Sequence, residues 1–508
     1  MEPLRPAAPH WTSRWLPPAA ILALAAPTLF LAYLPMTDLP QHTAVVSMLQ
    51  HIDDPRFGFG EFYELAPGRT LYFLPYALAL GLAKFLPLAL AMRVVVFLSA
   101  IAYPFGVLAV LRATGRAGIL ALLALPLMYN RAFFWGFINF NLALGMSLMA
   151  VALLARPTRN VRSDIALAAL CTAITFTHVY GIALVLGYAC LWLAIGERRA
   201  LMRRALPLAP VALGAVAWLA LGRRAEGRGS LYFESLLERL IGFEDATLGG
   251  YPNLSDEILL GLMLTAVAVL CARTLPWSRE RWRALGHCER ILTLFAGLNF
   301  ALYWVLPTHT ETAYFVHFRH ALLAVALLPM LASDRELRDS PIASGALLAA
   351  LTALTFAVHW SHLVRFDREA RPFERVVEKL PDAPKLYFLS WDRDGSVVQT
   401  NPYHHFHAYV QARRGGIISF SFPEMFWNIP FRMRDDAGVP ERKKHSEWRP
   451  WLYDYDTVGY FYDYVLVRTS REEHRGVEKL EKFPYELFFA DPPWELYRRD
   501  RGLETTSP

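Results

Sequence analysis

A carboxylate and an imidazole lie four residues apart in Met36-Thr37-Asp38-Leu39-Pro40-Gln41-His42, directly after the first long apolar segment of the chain. Ionisable side chains near membrane depth are costly and mark functional sites by default. A carboxylate held there can serve as general base toward a hydroxyl or an amine. The plainer reading is that Asp38 caps the short helix that follows, since Asp is a good N-cap. A cap would not exclude catalysis.

A second constellation gathers His309, Glu311, His317, Arg319 and His320 between two apolar segments. An arginine beside a helix start, ringed by imidazoles, suits a phosphate. The alternative is an interfacial arginine whose head snorkels to water. Arg319 opens its helix on the side that the positive-inside rule disfavours for cations, which points to the phosphate. Arg131 makes the same case within Tyr129-Asn130-Arg131-Ala132-Phe133-Phe134-Trp135-Gly136, a polar and aromatic break followed by Asn139 and Asn141 in an apolar helix. His178, with Tyr180 and Gly181, marks a similar break, although a lone histidine there is as readily a hydrogen-bonded packing residue. In Tyr403-His404-His405-Phe406-His407 three imidazoles could suggest a metal, but no cysteine or second ligand group accompanies them, so no metal site is assigned. Glu424, Trp427 and Trp448 could stack on a sugar or simply pack. There is no Walker A sequence and no GxGxxG between a strand and a helix, so a nucleotide donor is set aside; the net charge of +6 is no nucleic-acid signature, because most arginines lie in short loops where the positive-inside rule explains them.

These residues need elements to position them. The chain has 508 residues, 55% of them hydrophobic, and a mean hydropathy of +0.26. That is too apolar for a soluble protein of this size. Hydropathy marks apolar segments at about 16–35, 71–90, 93–111, 117–130, 132–155, 163–178, 180–196, 204–221, 256–273, 289–306, 319–332 and 342–361. Arg5 and Arg14 precede the first one without an obvious cleavage site, as in a retained signal anchor. Arginines at 156, 159 and 162, the stretch Glu197 to Arg204, and the stretch Arg273 to Arg290 mark cytoplasmic loops. The other side then receives 36–70, 129–135, 178–181, 222–255, 307–318 and everything after 361, an acidic, aromatic and histidine-bearing face. Arg93 and Arg112 both favour the cytoplasm, yet one helix joins them, so 71–90 is a re-entrant piece or one arginine is misassigned. The expectation is 11 to 13 spans, several of them tilted or broken.

Within loop 36–70, Val45, Val46, Met48, Leu49 and Ile52 would share a helix face able to lie in the membrane interface. Asp53-Asp54-Pro55 reads as a turn. Tyr232 to Ile241 reads as an interfacial amphipathic helix. The four cysteines include no CxxC pair, and none lies in the polar C-terminal region. After about residue 365 apolar runs shorten to strand length at 385–389, 416–420 and 464–467. Residues 366–380 form a short helix with Phe373, Val376, Val377 and Leu380 on one side. The organisation expected is a transmembrane domain over 1–365, a soluble extracytoplasmic α/β domain over 366–500, and a tail at 501–508.

This layout resembles the GT-C superfamily of integral-membrane glycosyltransferases, and within it the bacterial mannosyltransferase and aminoarabinose-transferase types. Asp38-Leu39-Pro40-Gln41-His42 is similar to the acidic motif that opens the first outside loop in bacterial members, and Trp494-Glu495-Leu496-Tyr497-Arg498 to a closing strand of their soluble domains. The resemblance implies a multi-pass protein of the plasma (inner) membrane that takes a polyprenyl-phosphate sugar as donor, on the extracytoplasmic side. The acceptor would be a glycan, a lipid or a protein. Asp38 would be the base and His42 its aid. Arg319, with Arg131 and His320, would hold the leaving lipid phosphate. No acidic neighbour stands beside Asp38, so metal dependence and any second acid stay open; the donor lipid is a co-substrate, not a cofactor. The competing readings are a flippase for lipid-linked glycans, which predicts inverted repeats and midplane polar residues that the chain does not display, and a non-catalytic assembly protein.

Overall fold

Each of the twelve apolar segments contains helix among its described residues, which satisfies its backbone polar groups within the segment. The computed structural model describes residues 10–156, 160–195, 205–222, 231–271, 279–309, 315–332, 334–426, 428–443, 446–469, 480 and 482–500. Glu311, Trp427, Arg159, the stretch 197–204, Arg273 and the tail 501–508 lie outside these. Among the described residues three helices are long and apolar enough to cross a membrane: Leu88–Ala113, Ile138–Ala155 and Pro341–Lys379. Shorter apolar helices run over Arg14–Phe30, Gly118–Tyr129, Val179–Ile195, Leu206–Leu221 and Val316–Leu331. The expected 11 to 13 crossings are therefore not all met by full-length helices. Segment 71–90 supplies only Leu74–Leu82; nine residues at about 1.5 Å each fall far short of a hydrocarbon core of about 30 Å. Segment 117–130 is a 3-10 helix, Gly118–Tyr129, whose steeper rise of about 2.0 Å per residue stretches it further than an α-helix of equal length.

The chain divides into two compact units. The first comprises Met1–Phe30, Val94–Phe133 and Phe137–Ser361 and is helical. Within it Ile138–Ala155 packs on the helix Val179–Ile195, where Gly181 admits Ile174 and Ser147; a Cβ there would meet the Ile174 side chain at 2.8 Å. Tyr232 to Ile241 does form a short helix, Leu236–Ile241, with Leu236, Leu237, Leu240 and Ile241 exposed. Its Arg239 is buried and donates to the Leu306 carbonyl at 2.7 Å.

The second unit comprises Leu31–Arg93, Phe134–Gly136 and His362–Pro508. Among the described residues its seven strands are β1 Tyr63–Leu65, β2 Lys385–Ser390, β3 Ile417–Ile418, β4 Phe431–Met433, β5 Tyr464–Arg468, β6 Tyr485–Asp491 and β7 Trp494–Arg499. Five of them make a mixed sheet in the order β3-β2-β5-β7-β6, parallel from β3 to β5 and antiparallel beyond. The antiparallel pair β1–β4 ties the loop after Asp38 to the C-terminal region, with Tyr63 opposite Met433. Beneath the sheet lies an unusually phenolic core of Tyr387, Tyr453, Tyr462, Tyr485 and Tyr497 with Val465, Val467 and Leu389. Phenols tolerate burial when their hydroxyls find partners, and Tyr453 donates to Tyr485 Oη at 3.0 Å, which donates in turn to the Gly459 carbonyl at 2.9 Å.

Phe373, Val376, Val377 and Leu380 are all buried, as their spacing predicts. The helix before them does not stop at 365 but runs over Pro341–Ala370. One expectation fails outright. The helix Leu39–His51 is not an interfacial helix with one wet face: every residue from Leu39 to Met48 is buried. It packs on the helix Ala408–Arg414, and Ser47 Oγ donates to the Ala412 carbonyl at 2.8 Å. Its apolar face was correctly read; the opposite face is covered by protein, which periodicity cannot reveal.

Candidate functional site

Asp38 occupies the N-cap position of Leu39–His51, where Pro40 suits the first turn. The His42 N–H accordingly bonds the Asp38 carbonyl at 3.0 Å. Yet the Asp38 carboxylate makes no capping hydrogen bond. Its Oδ1 faces His405 Nδ1 at 2.9 Å. The backbone beneath it is fixed: Thr37 N–H and Asp38 N–H donate to the Phe134 and Trp135 carbonyls at 2.9 and 3.2 Å. Gly136, at φ +85°, lies so close that a Cβ would come within 2.8 Å of the Asp38 nitrogen, so only glycine fits.

His42 does not bond the carboxylate four residues before it. Its Nδ1 lies 2.8 Å from Tyr76 Oη, in the short helix Leu74–Leu82. Burial lowers its pKa to about 4, against the pull of Asp38 and of a hydrogen bond to the Gly136 backbone, so it is neutral at pH 7. Gln41 bridges the helix start to the turn after β3, donating to the Phe420 carbonyl at 2.8 Å and accepting from Phe422 N–H at 3.0 Å.

The imidazole run after Asn401 divides three ways. His405 meets Asp38. His404 is buried and stacks on Trp448 at 3.8 Å between centroids. His407 donates through Nε2 to the Ser419 carbonyl at 2.6 Å. Burial holds both His404 and His407 far below the usual imidazole range. The Trp448 face offered to a sugar at the sequence level is thus covered by His404, and Arg393 sits 5.2 Å over its ring. Glu424 is paired with Arg442.

In the first unit, Arg319, His320 and His178 converge on Tyr180. The Arg319 guanidinium lies 5.0 Å from the Tyr180 ring, 5.1 Å from Phe137 and 5.9 Å from Phe140. Its buried Nε has no hydrogen-bond partner among the described residues. His178 Nδ1 accepts from Tyr180 N–H at 3.1 Å, and His320 Nδ1 lies 2.9 Å from Asn299 Oδ1. Arg131 is a different case. It pairs with Asp245 at 3.1 Å and donates to the Gly249 carbonyl at 2.9 Å, so its charge is already met. His309 stacks on Tyr232 at 4.8 Å in a small bridge between their backbones. Asn130 donates to Asn141 Oδ1 at 3.0 Å, a structural polar pair inside the apolar helices.

Among the described residues one acidic group has the spacing of metal ligands: Glu244, Asp256 and Glu257, whose ligand atoms lie within 4.8 Å of one another. Burial and then the Asp256 charge push Glu244 up to about 8, so the cluster retains a proton at pH 7. Neither Asp38 nor the histidines of 404–407 belong to it.

Sequence reading missed His405 as the partner of Asp38. The two are 367 residues apart, so no spacing could join them. It missed Tyr76 and Gly136 for the same reason.

No family model matches the chain, and no curated protein does. Solved structures do. ArnT from Cupriavidus metallidurans in the apo state superposes at TM-score 0.59 with 13% identity, over 99% of this chain and 100% of that one. The same protein bound to undecaprenyl phosphate gives 0.57, again at 13% identity over 99% of this chain and 100% of that one. The archaeal oligosaccharyltransferase AglB from Archaeoglobus fulgidus, in complex with an inhibitory peptide and a dolichol-phosphate, gives 0.46 at 11% identity over 98% of this chain and 75% of that one. With its helical body, its C-terminal sheet and this end-to-end superposition, the chain has the fold of ArnT.

Proposed function

We propose that the chain is a membrane glycosyltransferase that moves a sugar from a polyprenyl-phosphate donor to an acceptor on the extracytoplasmic side, with Asp38 as general base. The observation that carries this is the idle cap. A buried-edge aspartate at a helix N-cap would ordinarily spend its carboxylate on the N2 or N3 amide; Asp38 does not, and Oδ2 has no partner among the described residues. A carboxylate held with one oxygen uncommitted is a base in waiting. In the reaction the acceptor O–H or N–H gives its proton to Asp38. The acceptor atom bonds the sugar C1 as the C1–O bond to phosphate breaks, and polyprenyl phosphate leaves as the anion.

The leaving group brings charge into a low-dielectric setting, where a fixed cation is worth most. Arg319 suits that part, because three rings face its guanidinium and no carboxylate neutralises it among the described residues. His178 and His320 flank it as further donors. The ArnT structure with undecaprenyl phosphate is consistent with a polyprenyl-phosphate donor for a chain of this fold. Under this reading the shorter helices are broken or tilted spans, giving 11 to 13 crossings, and residues 36–70 and the sheet domain face the outside. Arg131 serves a structural role in it, since Asp245 already holds its charge.

The test is transfer by purified protein in nanodiscs with a panel of radiolabelled polyprenyl-phosphate sugars, wild type beside Asp38→Asn. Label moving to acceptor or water with wild type alone is expected. Turnover by correctly inserted Asp38→Asn protein would end the assignment of Asp38, and silence of folded wild type across the panel would favour a flippase.

A further inference from the structure

We propose that His405 is the positioning residue for Asp38: its Nδ1–H pins Oδ1 of the carboxylate and thereby aims Oδ2 at the acceptor. The proposal rests on Asp38 being the base. A free Asp side chain samples several rotamers, and a base that wanders by about 1 Å can lose about 100-fold in rate. A capping bond would normally fix such a residue, but Asp38 makes none. The contact at 2.9 Å to His405 takes its place.

The turn carrying His405 is built to be rigid. Tyr403, two residues before it, lies under the Arg468 guanidinium at 3.6 Å and donates to Glu369 Oε1 at 3.1 Å. Arg468 is itself buried, at 2% side-chain exposure, and paired with Glu369 and Asp392. Phe406 stacks on the fully buried Trp494 of β7 at 5.8 Å. His407 is tied to the Ser419 carbonyl, and Ala408 then begins the helix that packs on Leu39–His51. On the other side, Phe134, Trp135 and Gly136 clamp the Asp38 backbone. Thr37 Oγ1 closes the frame by donating to the Thr400 carbonyl at 2.6 Å.

A bonded Nδ1 also admits the reverse arrangement, in which Asp38 orients the imidazole and Nε2 takes the proton, as in hydrolase triads. Accessibility favours the carboxylate: the Asp38 side chain is 15% exposed and that of His405 8%. The His405 ring is further enclosed by His404 at 4.5 Å and edge-on by Phe422 at 5.9 Å.

The two arrangements separate on substitution. Asparagine places its amide N–H near the Nδ1 position and can hold Oδ1, but it has no proton to shuttle; glutamine reaches toward the Nε2 position instead. The experiment is steady-state transfer by the full chain in nanodiscs, with thermal unfolding as a control on folding. His405→Ala should lower kcat about 100-fold and leave donor KM within about twofold. His405→Asn should recover at least about tenfold of that loss, and His405→Gln should not. Unchanged kcat in His405→Ala overturns the proposal. So does His405→Asn as slow as His405→Ala, because then the imidazole itself moves the proton. If His405→Ala does not fold, the contrast between Asn and Gln decides. Histidine nitrogen-15 spectra provide a readout without turnover: a protonated Nδ1 on His405 that shifts in Asp38→Asn is expected, and an unprotonated Nδ1 that ignores Asp38 overturns the contact. Asp38→Asn protein that still transfers sugar would defeat the base assignment itself, whatever His405 does.

Discussion

The Asp38 region in the second unit and the Arg319 region in the first carry opposite charges and are built in opposite ways. Asp38 is gripped by hydrogen bonds: backbone amides beneath it, an imidazole on one oxygen, and glycine pressed against its main chain. Arg319 is surrounded by ring faces of Phe137, Phe140 and Tyr180, which attract a cation without neutralising it. A base needs direction, which directional bonds supply. On the proposed reading Arg319 receives an arriving anion, and rings leave room for one where a carboxylate would fill it. Arg131 is the internal control, since Asp245 occupies the place an anion would take.

Substitutions can break this contrast in descending order of effect. Asp38→Asn should cost transfer about 1,000-fold or more, as loss of a general base does. Its thermal midpoint should match wild type, because the side chain caps nothing; a midpoint drop equal to that of a lost cap would mean Asp38 is structural. Arg319→Gln should lower kcat/KM about 100-fold, the usual loss when one charge-stabilising donor is removed, with Arg319→Lys in between. Equal activity of all three forms would take the phosphate away from Arg319. Arg131→Gln should leave kcat/KM nearly unchanged and lower stability by about 1 kcal/mol, a modest figure because Asp245 is 46% exposed and screened by solvent. A donor KM that rises as steeply as in Arg319→Gln would erase the distinction between the two arginines.

The smallest effect is on the pH dependence of stability. Glu244 has its pKa raised to about 8 in the fold, first by burial and then by Asp256. The folded form therefore keeps a proton that the unfolded chain has released above the ordinary carboxylate range. That stability is complete below the unfolded value and is lost as pH rises through about 8. Unfolding midpoints measured from pH 6 to about 9 should fall for wild type and stay flatter for Glu244→Gln. Parallel curves would show that Glu244 is ordinary in solution.

Much of the scaffold was legible because its signals are local. The twelve apolar segments needed only composition, and strands β2, β3 and β5 only short apolar runs between punctuating residues. The Trp494 strand, singled out by resemblance, proved to pack directly against Tyr403 and Phe406 in the turn that carries His405. Strand β1 was not visible, since Tyr63–Leu65 is extended only because Phe431–Met433 pairs with it. Residues Leu39 to Met48 read as half-wet because helical periodicity records apolar faces, while burial of Gln41 and Ser47 depends on partners supplied from far along the chain.

By itself the sequence determined that Asp38 follows the first apolar segment, that arginines interrupt apolar stretches at 131 and 319, and that a polar region ends the chain. These are properties of composition and short spacing, which survive without a fold. Only tertiary structure decided that the imidazole on Asp38 comes from position 405 and not from position 42, and that Arg131 is paired with Asp245 while Arg319 meets no carboxylate among the described residues. The physical reason is that a hydrogen bond or an ion pair is set by distances of about 3 Å, and such distances across hundreds of residues exist only once the chain has packed.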